Sequence, residues 1–115
     1  AVLLFLPGIH CSTPEVFRRF DALPAPPDDG QPDFAEWSSL PAETLLPQLR
    51  NDLESAAFAL HPTLATLRHE LEEHLSRPVR MSGSGSTLFT LFNDAAQAKA
   101  AAEQVPGRLV RCVVC

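Results

Sequence analysis

The chain has 115 residues, a net charge of −5, 45% hydrophobic residues and 20% charged residues. That is the composition of one ordinary globular domain, long enough to bury roughly 65% of the surface its unfolded chain exposes. Only 9 Lys and Arg are spread along it, and Lys99 is the sole lysine, which argues against nucleic acid and against an anionic membrane as partners.

Residues 1–6, AVLLFL, read as a buried strand. The run is too short to cross a membrane and lacks the basic flank of a signal peptide. It is entered without a preceding turn, which reads as a piece of something longer. Pro7-Gly8 breaks it. Ser12-Thr13-Pro14-Glu15 then carries helix-start signals, with Ser12 as N-cap, Pro14 in the first turn and Glu15 closing a capping box. The helix is predicted over 13–20, with Val16, Phe17 and Phe20 at helical spacing.

Residues 23–32 are rich in Pro, Asp and Gly and read as a surface loop. Residues 41–60 read as helix in two pieces, broken near Pro47, with Asn51 and Glu54 forming a second cap signature. Pro62 opens another helix, in which Leu64, Leu67, Leu71 and Leu75 form an amphipathic stripe. Strands are predicted over 79–82 and 87–92, on either side of a Gly/Ser run. Asn93 is placed as the N-cap of an Ala-rich helix over 94–104. Pro106-Gly107 ends that helix, and 108–114 is the last strand. The order strand, helices, strand, strand, helix, strand predicts an α+β, ferredoxin-like sandwich, an antiparallel sheet of about four strands with helices mainly on one face.

The stretch MSGSGSTLFTLF, residues 81–92, is the one with chemical promise. It is no P-loop, because no lysine is near, and no dinucleotide fingerprint, because Leu88 stands where the third glycine would be. Gly83 and Gly85 permit positive φ and remove side chains, so successive N–H groups can turn toward one anion or one neighbouring backbone. Ser82, Ser84, Ser86 and Thr87 add hydroxyls. On local chemistry a plain hairpin loop remains the simpler reading.

Other candidates are weaker. His69 and His74 are five apart, about 140° around a helix, whereas a metalloprotease helix needs four. His10 and His61 read as loop histidines, and Asp21, Asp28, Asp29, Asp33 and Asp94 as turn and cap residues. Cys112-x-x-Cys115 has metal or redox spacing but no second pair beside it. With Cys11 the count is three, an odd number that predicts no disulfide framework. Ordinary buried thiols and no metal site are expected.

Three separated stretches resemble one family, the GHMP kinases, and within it the branch acting on 4-diphosphocytidyl-2-C-methyl-D-erythritol. They are PGIHCSTPEVF (7–17), NDLE followed by HP and an amphipathic helix (51–75), and RMSGSGSTLF (80–89). The resemblance implies a cytoplasmic two-domain enzyme of non-mevalonate isoprenoid synthesis that moves the γ-phosphate of ATP, with Mg²⁺, to a hydroxyl of that substrate. It implies that the nucleotide loop and the catalytic Lys and Asp belong to an N-terminal domain. Residues 1–115 are then the C-terminal domain, with no catalytic residue of their own, inactive and without cofactor when alone.

Carried over, Thr13 offers its hydroxyl to the substrate and Phe17 stacks on the cytosine ring. The run Ser82, Gly83, Ser84, Gly85, Ser86 and Thr87 approaches the phosphates. Asn51 and Glu54 stay helix-cap residues, and the loop, lacking the other domain, is expected to be mobile. Cys11 stands where the family usually has Val, and the insert at 24–32 is longer than the family's. The rivals are another GHMP kinase, of the homoserine or mevalonate type, and a non-enzymatic ferredoxin-like module that binds a ligand or partner.

Overall fold

The apolar run that opens the chain becomes the second-last strand of a four-stranded sheet, paired on both sides. In the computed structural model, which describes residues 1–24 and 34–115, strand β1 (Val2–Leu6) is followed by helix α1 (Thr13–Asp21), short helices α2 (Phe34–Trp37) and α3 (Ala42–Leu45), and a 3-10 turn (Leu46–Gln48). Helices α4 (Glu54–Leu60) and α5 (Pro62–Leu75) come next, then β2 (Arg80–Met81), β3 (Leu88–Leu91), α6 (Ala95–Gln104) and β4 (Arg111–Val114). The sheet order is β2-β3-β1-β4 and every pair is antiparallel. This is the expected βαββαβ sandwich. The proline-rich loop of 23–32 lies, beyond Pro24, outside the described residues, as do Asp28, Asp29 and Asp33.

The period-2 alternation of β1 decides which face is buried. Leu3 and Phe5 are fully buried, and Val2, Leu4 and Leu6 are half-buried. Opposed residues share a face, so Leu88 and Thr90 of β3 join Leu3 and Phe5. Against this face pack Val16 of α1, Ala56 and Ala57 of α4, Leu64, Leu67 and Leu71 of α5, and Ala98 and Ala101 of α6. Ala42 and Leu46 are buried outside this cluster, and α3 lies toward Val2 and Leu91 at one end of the sheet. Thr90 is the one buried polar residue among the described residues; its hydroxyl donates to the Pro78 carbonyl at 2.9 Å. Among the described residues no helix is long and apolar enough to cross a membrane.

Several boundaries differ from those expected. The helical stretch 41–60 is three pieces, because Pro47 lies in a tight turn and the chain turns extended at Leu49. Helix α2 was not expected; the rings of Phe34 and Trp37 meet edge-on across it at 5.6 Å. Ser12 sits at the cap position of α1 in extended backbone, but its side chain makes no capping bond, so the capping box does not form. The cap of α6 is Asp94, not Asn93: extended at φ −146°, it accepts the Gln97 N–H at 2.8 Å. Asn93 instead accepts the Ala42 N–H and donates to Glu43, both at 2.8 Å, and so joins α3 to the end of β3.

Truncating Leu71, fully buried in the stripe of α5, is expected to cost about 2–5 kcal/mol in urea denaturation. Leu60→Ala, at a side chain 38% exposed, is expected to cost under about 1 kcal/mol.

Candidate functional site

The register of the sheet builds the site. Phe5 pairs with Leu88, so the exit of β1 lies beside the entry to β3. The segment that leads to α1 is thereby set against the β2–β3 connection. The Thr13 and Ser84 hydroxyls meet at 2.9 Å, across 71 residues of sequence. Both belong to the residues singled out in the sequence, and the fold brings them together.

The connection itself is a tight turn. The Ser82 N–H donates to the Thr87 carbonyl at 2.8 Å, and the Gly85 N–H to the Ser82 carbonyl at 3.1 Å. Gly83 and Gly85 take φ of +57° and +91°, the positive values that the sequence permits there. They differ in surroundings. A Cβ on Gly83 would meet nothing within 4 Å, whereas one on Gly85 would lie 3.0 Å from Met81 Sδ and 3.1 Å from Cys11 Sγ. Gly85 is therefore the close backbone approach, packed against the side chains of Met81 and Cys11. Among the described residues the Ser84 and Ser86 N–H groups make no hydrogen bond.

The loop is tethered as well as turned. Asn51 Nδ2 donates to the Met81 carbonyl at 2.9 Å and to the Gly83 carbonyl at 2.7 Å. Glu54 Oε1 accepts the Met81 N–H at 2.9 Å, and its other oxygen accepts from Arg68 at 3.3 Å. The Arg68 guanidinium lies over the Phe58 ring at 4.7 Å. Asn51 does bond as a cap residue does, its Oδ1 accepting the Leu53 N–H at 3.0 Å, but α4 itself begins at Glu54 with Leu53 at its cap position, and the Glu54 side chain bonds Met81 and Arg68 rather than reaching back to Asn51. The spacing of the motif imitates a capping box, and partners some thirty residues away leave no local signal. These bonds hold the entry to the loop.

Phe17 is 48% exposed, while its neighbour Val16 is buried and fills the core position of α1. Phe17 lies one helical turn after Thr13, itself exposed, on the same side of the helix. Ser82 and Gly83 are exposed, and Ser84, Gly85, Ser86 and Thr87 are half-buried. The assembled site thus offers hydroxyls, free N–H groups and one open aromatic face, with neither cation nor carboxylate in the loop. It can orient an anion and a planar ring. It holds no acid–base pair.

The remaining candidates stay apart. His69 is exposed and pairs with Glu73 at 3.0 Å. Among the described residues, no three His, Cys, Asp or Glu side chains gather as metal ligands. Cys112 and Cys115 are an odd number of residues apart on extended chain, which sends their side chains to opposite sides. Burial pushes the thiols of Cys11 and Cys112 up from their ordinary value, and Cys115 is exposed.

An antiparallel βαββαβ domain with a hydroxyl-rich glycine loop beside a helix start is of the α+β class. The sequence profile described as "GHMP kinases C terminal" matches residues 33–111, and the chain belongs to that family. It is 42% identical over 109 residues to the 4-diphosphocytidyl-2-C-methyl-D-erythritol kinase of Paracoccus denitrificans, covering 92% of this chain and 38% of that protein. The kinase of the same name from Sinorhizobium medicae is 38% identical over 108 residues, covering 91% of this chain and 34% of its own length. A crystal structure of 4-(cytidine 5'-diphospho)-2C-methyl-D-erythritol kinase superposes with a TM-score of 0.65 at 32% identity, over 97% of this chain and 40% of that one. The chain thus spans between 34% and 40% of the length of these three proteins.

Gly85→Ala is expected to destabilise the domain more than Gly83→Ala. The second costs about 1–2 kcal/mol for its left-handed backbone, and the first adds contacts of 3.0 and 3.1 Å; paired urea titrations measure the difference. With a thiol reagent at pH 8, Cys115 is expected to react first, because burial keeps Cys11 and Cys112 protonated. Mass spectrometry of the modified peptides reads the order.

Proposed function

We propose that this chain is the C-terminal part of an ATP-dependent kinase acting on a hydroxyl of 4-diphosphocytidyl-2-C-methyl-D-erythritol. The names of its relatives support the substrate. The observation that carries the reading is the arrangement of Thr13, Ser84 and Phe17. Two hydroxyls in contact at 2.9 Å stand at the foot of a glycine turn. A phenylalanine with half its surface open stands one helical turn above them.

Phe17 gives a flat apolar face on which a cytosine ring stacks, a contact worth about 1–3 kcal/mol per base in other aromatic sites. The Thr13 hydroxyl donates to the bound substrate. The free N–H groups of Ser84 and Ser86, with the hydroxyls of Ser82, Ser84, Ser86 and Thr87, turn toward phosphate oxygens. Phosphoryl transfer asks chiefly for positioning and charge neutralisation. The loop serves the first, because its donors fit an anion. Mg²⁺ supplies the second when bound with ATP, and the donor set of this loop, without a carboxylate, does not hold it. The catalytic Lys and Asp, the nucleotide loop and the cation site belong in this reading to an N-terminal domain beyond the 115 residues.

The test is a coupled assay of the full-length protein carrying this chain, with ATP, Mg²⁺ and the cytidine diphosphate substrate, against homoserine and mevalonate. Selective turnover of the cytidine compound is expected. Phe17→Ala is expected to raise its KM about tenfold with kcat within about threefold, and Phe17→Tyr to restore it. Equal turnover of the other alcohols, or an unaltered KM in Phe17→Ala, would remove the reading.

A further inference from the structure

The two polar backbone atoms of Met81 face away from the sheet. Met81 pairs with Leu88, and the neighbouring Ser82 N–H bonds to the Thr87 carbonyl, so Met81 stands at a position where the ladder makes no bond. Strand β2 is the sheet edge. A further strand would normally take up the outward N–H and C=O, and here side chains do. Glu54 accepts the N–H and Asn51 donates to the carbonyl. The same Asn51 amide nitrogen then reaches past Ser82 to the Gly83 carbonyl at 2.7 Å. One carboxamide thus clamps the three residues that lead into the loop. Its oxygen is engaged too, accepting the Leu53 N–H at 3.0 Å.

We infer that Asn51 is a positioning residue for phosphoryl transfer: its carboxamide holds the entry to the Gly83–Gly85 turn so that the free loop N–H groups and Ser84 stand ready beside Thr13. For transfer itself this rests on the kinase reading above; the clamp on the loop does not. The local roles of Asn51 are separable. Its oxygen orders the turn before α4, and its nitrogen orders the loop. Asn51→Asp keeps an oxygen for the Leu53 N–H, removes both donations and sets a negative charge against two carbonyl oxygens. A residue that served only the turn would tolerate that change.

The experiment uses the full-length protein carrying this chain, as parent, Asn51→Asp and the neighbouring control Asp52→Asn, an exposed residue paired with Arg50. Hydrogen exchange of residues 82–87, steady-state kinetics and the melting temperature are measured on each. For Asn51→Asp the Ser82 and Gly85 amides, the hydrogen-bonded ones of the loop, are expected to exchange about tenfold faster, with the amides of β1 and β3 unchanged. The kcat is expected to fall about tenfold, with KM for the alcohol within about threefold. The control is expected to match the parent. Unchanged loop exchange overturns the inference, and so does faster exchange with an unaltered kcat. A general rise in exchange with a large drop in melting temperature also overturns it, because the residue would then be merely structural. If the parent transfers no phosphate to any alcohol, the kinase reading falls, and the exchange measurement alone decides whether the clamp exists.

Discussion

The register of β1 against β3 is the constraint on which the rest depends. Val2 opposite Leu91 and Phe5 opposite Leu88 place the two ends of these strands side by side. At one end lie the Pro7-Gly8 exit and the glycine turn; at the other, Ala1 and Phe92 exchange backbone hydrogen bonds. A slip of one residue would turn Leu3 and Phe5 out of the core and carry Thr13 away from Ser84. The cost of closing so long a loop is offset by burial: Leu3, Phe5 and Leu88 are fully buried and meet Val16, Leu64 and Leu71. Core and site are therefore one arrangement. The same pairing that buries the apolar residues brings the hydroxyls together.

What could be read from the sequence follows from the range of the interactions involved. The period of β1, the leucine stripe of α5 and the Pro62 start are local patterns, and they appear where expected. The positive φ at Gly83 and Gly85 was legible because few other residues adopt it. One cap was misplaced and another read incompletely, for a common reason. Asn93 and Asn51 each look like an N-cap to a reader who sees only the next few residues. Each spends its amide nitrogen on a distant segment, Glu43 for one and the β2–β3 loop for the other, while the Asn51 oxygen still takes the local Leu53 N–H. Asparagine carries both a donor and an acceptor, so it can join segments in a way that aspartate cannot. That asymmetry is visible at Asp94, an acceptor only, which does cap its helix.

The family assignment and the geometry support each other at one point in particular. The glycine run stands out on its local chemistry, whereas the site roles of Thr13 and Phe17 rest on resemblance, since a threonine at a helix start and a phenylalanine at helical spacing have ordinary structural uses. The structure leaves Phe17 half open and gives its core position to Val16. An aromatic ring left in water forgoes the burial that stabilises its neighbours, roughly 25 cal/mol for each Å². Packing within this chain gives little reason for a ring there, and the stacking proposed above would give one.

Electrostatics then limits how this domain takes part. Its net charge is −5, its sole lysine is on α6, and Arg18 and Arg19 sit in the last turn of α1, at the negative end of the helix dipole. None of these charges lies in the glycine run. A polyphosphate approaching the loop meets neutral donors with little long-range attraction to guide it. Neutral donors become effective when they are already aimed and need no reorganisation as charge develops. For a loop without a cation, then, rigidity stands in for charge, and the bonds that fix its shape have a larger part than they would in a lysine-bearing loop. In the proposed kinase reading, then, the Asn51 clamp, the Glu54 bond to Met81 and the close packing of Gly85 against Met81 and Cys11 belong to the chemistry of the site as much as to the stability of the fold.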